Sequence, residues 1–92
     1  MIPILKWSSE DDVLARANLA NAGLGATVYS KDLARAESIA RRLDAGSVYI
    51  NTHEMPNPNA YFSGFKDSGV GGEMGKQGLK SYCYTKSIHF AK

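Results

Sequence analysis

Ninety-two residues leave room for one small domain with a thin core, since a chain this size hides only roughly 60–65% of its unfolded surface. Hydrophobic residues at 43% and charged residues at 22% match ordinary globular usage and exclude wholesale disorder. A net charge of +2 is too small an excess to indicate nucleic acid, and the single cysteine, Cys83, excludes an internal disulfide framework or a cysteine-rich zinc site. No apolar run reaches the length of a membrane span and no signal-peptide pattern opens the chain. The composition predicts one cytoplasmic domain over residues 1–92, with no membrane or nucleic-acid partner.

Ile2–Trp7 reads as a short apolar strand, with Pro3 at its start or on an edge because proline has no amide to donate. Ser9 followed by Asp12 fits a capping box, and Glu10, Asp11 and Asp12 place negative charge where a helix N-terminus favours it. Val13, Leu14, Ala17 and Ala20 continue at helical spacing until Gly23 and Gly25. Ala26–Tyr29 is β-prone, and Ser30-Lys31-Asp32 supplies the next cap. A second helix is expected over Leu33–Ala45. Leu33, Ala36, Ile39, Ala40 and Leu43 form its apolar stripe, Glu37 pairs with Arg41, and Gly46 stands where a left-handed cap is wanted.

Ser47–Asn51 is the third expected strand. Three strands separated by two helices predict an α/β fold, a small βαβαβ unit with a parallel sheet. Thr52–Asp67, with Pro56, Asn57, Pro58 and Asn59, has no period and reads as a long loop. A short helix over Glu73–Tyr82 and a fourth strand over Tyr82–Ala91 complete the chain. On that strand Tyr84, Ile88 and Phe90 share one face and Cys83 sits on the other, as a packed and inert thiol.

Three motifs invite chemistry. The run Gly69-Val70-Gly71-Gly72-Glu73-Met74-Gly75 fails the dinucleotide pattern because Met74 holds the third glycine position. It fails the P-loop pattern because Gln77 follows Gly75-Lys76, so turn glycines with positive φ are expected. His53-Glu54 opens like a zinc-protease motif, but Asn57 replaces the second histidine and no metal is expected. Imidazole is suited to proton transfer near neutral pH, which leaves His53 with Glu54 as candidate acid/base groups and Lys66 as a candidate for steadying an anion. Tyr61, Phe62 and Phe65 are the candidate apolar wall, or simply part of the core.

The segment Gly23-Leu24-Gly25-Ala26-Thr27-Val28-Tyr29-Ser30-Lys31-Asp32 resembles the aldehyde dehydrogenase family. So do Ala45–Asn51, Phe62–Gly71 (Phe-Ser-Gly-Phe-Lys-Asp-Ser-Gly-Val-Gly) and Gly78–Tyr82. The likeness covers Ile2 to Lys92 and corresponds to the C-terminal end of that family's longer chain. It implies the end of a catalytic domain, an entrance loop at about Thr52–Phe62 lining an aldehyde tunnel with Phe62 and the residues around His53–Pro56, and a terminal strand from an oligomerisation arm. It also implies that the cofactor domain, the catalytic cysteine, the general-base glutamate and the oxyanion asparagine have no counterpart in these residues. Cys83 does not match the family nucleophile. The family's Pro-Phe-Gly-Gly is Tyr61-Phe62-Ser63-Gly64 here, and Gly72 stands in place of an arginine.

The sequence therefore predicts a truncated aldehyde dehydrogenase homologue without cofactor or redox activity of its own. It is expected to bind a small apolar metabolite or a protein and to form a homo-oligomer through Tyr82–Ala91. The alternative is a non-redox isomerase or cyclase working from the 52–66 loop.

Overall fold

A computed structural model describes residues 2–92. The first helix, α1, spans Glu10–Asn18; Ser9 caps it as expected, its hydroxyl accepting from the Asp12 amide at 3.4 Å. After a two-residue strand β1 (Ala22–Gly23), strand β2 (Gly25–Val28) leads through Asp32 into α2 (Leu33–Ala40) and on to β3 (Ser47–Ile50). Asp32 caps α2 by accepting from the Arg35 amide at 3.0 Å. Strands β2 and β3 run parallel, with Thr27 opposite Tyr49 and Val28 opposite Ile50. The α/β class and the inner β-α-β unit match the sequence reading.

The second helix is shorter than its apolar stripe suggests. Beyond Ala40 the Arg42 and Leu43 amides bond carbonyls three residues back, the tighter winding common at helix ends. Gly46 does not take the left-handed conformation expected of a cap. Its hydrogen instead faces the Ser63 carbonyl so closely that a Cβ there would collide with backbone. That need arises from a residue far away in sequence, so no local pattern announces it.

The loop expected over Thr52–Asp67 contains two short strands, β4 (Phe62–Ser63) and β5 (Phe65–Lys66). β5 pairs antiparallel with β1, and β4 pairs antiparallel with β6 (Gly72–Glu73). Gly69, Gly71 and Gly75 have positive φ, as turn glycines should. The last helix, α3, is trimmed to Gly75–Lys80.

The outer strands are not formed. Ile2–Trp7 and Tyr82–Ala91 have no strand partner among the described residues, and a ladder requires one. The parallel sheet is accordingly two-stranded rather than three-stranded. Ile4 is 93% exposed and Phe90 is 90% exposed. Cys83 is exposed rather than packed. The radius of gyration is 17.7 Å, against about 12–13 Å for a compact chain of this length. The accessible surface of 8019 Å² likewise exceeds the roughly 5,200 Å² of a well-folded chain of this mass.

The core is correspondingly small. Leu14 and Ala36 are its buried apolar side chains, where α1 and α2 meet beside β2. Across the rim, Glu10 accepts from Arg35 at 3.0 Å and from Arg42 at 3.2 Å. Glu37 and Arg41 pair as expected, at 3.1 Å. Such exposed pairs add only about 0.2–1 kcal/mol each.

Candidate functional site

Residues of the parallel pair border an open hollow of about 670 Å³. Thr27 and Tyr49, register partners on β2 and β3, both line it, and Thr27 and Val28 also border a space beside Ile39 of α2 and Leu43. Leu24, Pro56 and Phe62 supply apolar walls, and the exposed His53 and Glu54 also line it. A smaller hollow of about 280 Å³ adjoins it, sharing Tyr49, Pro56 and Phe62 and adding Met55 and Tyr61. Phe62 therefore stands between the two spaces. Its strand, β4, is held by β6, whose Gly72 could not carry a Cβ without striking Phe62 and Ser63.

The structure brings together part of the predicted set. His53, Glu54 and Phe62 line one hollow, and Tyr61 lines the neighbouring one. His53 and Glu54 are both exposed, and Glu54 has a left-handed backbone (φ 45). Neither side chain hydrogen-bonds the other, which agrees with adjacent residues on an irregular loop pointing apart. Phe65 lines neither space; it is 49% exposed on β5.

Lys66 lies elsewhere. Its ammonium donates to the Asn18 carbonyl at 2.6 Å and the Ala20 carbonyl at 3.1 Å, and stands 3.5 Å from Asp44. These contacts fasten β5 to the end of α1 and give Lys66 a structural task. Nothing in its local sequence distinguishes that task from steadying an anion.

The sequence reading missed Tyr49, Thr27 and Leu24 as lining residues, whereas Pro56 lines the hollow with His53 and Phe62 as the resemblance implied. A signal for Tyr49 was present. In Ser47-Val48-Tyr49-Ile50 the aliphatic side chains alternate with hydroxyl-bearing ones, and β-alternation assigns the two kinds to opposite faces.

The residues present do not fit a nicotinamide dinucleotide. A dinucleotide turn places glycine backbone between a parallel strand and a helix whose free N-terminus receives the pyrophosphate. Here the helix following β2 is capped by the Asp32 carboxylate, which occupies that position with negative charge. The glycine run instead spans the turn before β6, β6 itself and the start of α3. No group of three potential metal ligands and no helix long and apolar enough to cross a membrane occurs among the described residues.

Comparison with known proteins gives one consistent result. The model of the aldehyde dehydrogenase family matches residues 1–88. The chain is 40% identical over its whole length to an aldehyde dehydrogenase of a Fusarium species, spanning 20% of that protein. It is 45% identical over 85 residues to phenylacetaldehyde dehydrogenase of Pseudomonas fluorescens, covering 92% of this chain and 17% of that one. An aldehyde dehydrogenase of Bacillus cereus, solved with NAD+, superposes with a TM-score of 0.85 at 37% identity, over 91% of this chain and 17% of that one. Betaine aldehyde dehydrogenase of Staphylococcus aureus gives 0.79 at 37% identity, over 83% of this chain and 15% of that one. The chain thus spans about a fifth of the length of the curated relatives it matches. On sequence and fold together, it belongs to the aldehyde dehydrogenase family.

Proposed function

We propose that these 92 residues bind a small apolar molecule in the hollow beside Phe62 and do not oxidise aldehydes by themselves. The observation that carries this reading is the make-up of the hollow. Leu24, Tyr49, Pro56 and Phe62 present apolar surface, yet no cysteine lines the space, and the one cysteine is exposed beyond α3. Apolar walls with a few placed polar groups are what small ligands require. Without a thiol at the wall, the hollow cannot form the covalent adduct that thiol-dependent aldehyde oxidation needs.

The test is calorimetric titration with NAD+ and NADP+, together with an absorbance assay for reduced cofactor over an aldehyde panel. The panel includes phenylacetaldehyde and betaine aldehyde, after the names of two relatives. No cofactor binding and no reduction are expected. Reduced cofactor appearing in proportion to this protein overturns the reading.

A non-redox isomerase or cyclase is the second reading, favoured by His53 and Glu54 lining the same hollow. Loss of an acid/base group costs about 10²–10⁴-fold in rate. His53→Ala should therefore abolish most conversion of any substrate that yields an isomer of unchanged mass. Conversion at the wild-type rate by the variant rules the second reading out.

Self-association belongs to the same proposal. Tyr84, Ile88 and Phe90 are exposed on a segment with no partner strand among the described residues, and such edges recruit other strands. Sedimentation over a concentration series should show a dimer or larger assembly that is lost on deleting residues 83–92. A monomer throughout would contradict it.

A further inference from the structure

We infer that residues 74–92 dock the protein onto an anionic lipid surface. The inference is independent of the hollow and rests on how charge and apolar surface are divided along the chain. With histidine neutral, Lys76, Lys80, Lys86 and Lys92 are the charged side chains of this stretch and give it +4. Residues 1–73 hold seven basic and nine acidic residues and carry −2. The whole-chain value of +2 conceals that separation.

Pairing divides in the same way. The ion pairs fall on Arg16, Arg35, Arg41, Arg42 and Lys66, whereas the four lysines of residues 74–92 meet no side-chain carboxylate among the described residues. Lys76 and Lys80 stand one turn apart on α3 and so share a face. Beyond α3, Tyr82, Tyr84, Ile88 and Phe90 are exposed and join no ladder among the described residues. Along an extended segment these four fall on one side together with Lys86 and Lys92, and the small and polar residues between them fall on the other. Aromatic rings settle at the level of lipid headgroups, where lysine stems lie along apolar surface and their ammoniums reach the anionic groups. Nucleic acid suits the segment less well. Its cations are all lysine, without the planar fork of arginine that reads phosphate and bases, and Ile88 offers no ring on which a base could stack. A lysine near an anionic bilayer contributes about fivefold in affinity, so even two of the four in contact give a preference of about twentyfold or more.

Co-sedimentation with vesicles tests this, using phosphatidylcholine alone and phosphatidylcholine mixed with phosphatidylserine at low salt. The 92-residue protein should bind the mixed vesicles about twentyfold or more tightly than the neutral ones. Salt at about 1 M should erase the difference, because screening then acts within about 3 Å. Replacing all four lysines (Lys76→Gln, Lys80→Gln, Lys86→Gln and Lys92→Gln) should abolish the preference. The urea midpoint and the sedimentation of the vesicle-free protein should stay unchanged, since these side chains pair with no carboxylate and the backbone edge is intact. Tyr84→Ser combined with Phe90→Ser should weaken binding to the mixed vesicles several-fold while keeping its salt dependence. Equal binding to the two vesicles, no binding to either, or a preference retained in the glutamine variant overturns the inference and leaves self-association standing. Polyuridylic acid is the control probe; its binding in the absence of any binding to mixed vesicles also overturns the inference and assigns the segment to nucleic acid.

Discussion

The β2-α2-β3 unit and the two terminal arms are built from similar material. Gly25–Val28 and Ser47–Ile50 mix apolar residues with small or hydroxyl-bearing ones; so, in large part, do Ile2–Trp7 and Tyr82–Ala91. The first pair forms a ladder under a capped helix, whereas the arms stay extended and exposed. What separates them is the availability of a partner at the right distance. Each inner strand meets the other across α2, and Asn51 locks the exit of β3 to Ser30. A strand is thus a property of two segments, and composition reports on only one of them.

Substitutions should expose that contrast, and the largest effect is expected at Gly46. A Cβ at this position meets the Ser63 carbonyl and the Gly64 backbone, which no rotamer change can move. Gly46→Ala should therefore destabilise by about 3 kcal/mol or more, enough to unfold a chain with so small a core. The check is a urea melt followed by circular dichroism. An unchanged midpoint would mean that Ser63 and Gly64 are not held against β3.

Asn51→Ala should come next, at about 1–2 kcal/mol, because it removes both bonds to Ser30 and places alanine at φ 57. Asn51→Gly loses the same bonds without the backbone strain and should cost less. If glycine proves as costly as alanine, the conformation contributes nothing. Asp32→Ala removes the cap of α2 and should lower stability by about 1 kcal/mol, visible as a shifted urea midpoint with an unchanged slope.

The smallest effect is expected in the arms. Tyr84→Ser and Ile4→Ser alter residues with no packing to lose, and each should shift stability by less than about 0.5 kcal/mol. A drop above 1 kcal/mol at low protein concentration would show that the arms pack in solution, and the comparison would have to be redrawn.

These expectations also mark what the sequence could disclose. Ser9 and Asp32 were legible as caps because capping is settled within three residues. Both helices and the inner strands were legible for the same local reason. Gly46 was misassigned because the local pattern of a helix end competes with a long-range approach by Ser63. The short strands β4, β5 and β6 were invisible, since two-residue pairings leave no period to detect. His53, Glu54 and Phe62, singled out by residue type, line one hollow, whereas the Lys66 ammonium faces the carbonyls of Asn18 and Ala20. Tyr49 was passed over because aromatic residues on a short apolar strand read as core.

The Lys66 fastening also bears on how the molecule acquires its shape. It joins positions 48 and 46 residues apart, so the loop it closes is half the chain, and closing a long loop costs conformational entropy before any contact repays it. During synthesis, α1, α2 and the parallel pair can assemble once Asn51 is available, with the Asn18 side chain joined to Arg42 and Asp44, but the Asn18 and Ala20 carbonyls gain their ammonium partner only when Lys66 leaves the ribosome. A nascent chain ending before that residue carries the helices without the join. Limited proteolysis of ribosome-bound chains of increasing length should therefore show residues 18–22 becoming protected only after residue 66 has emerged. Earlier protection would mean that the Asn18 bonds to Arg42 and Asp44 hold the end of α1 without the Lys66 fastening.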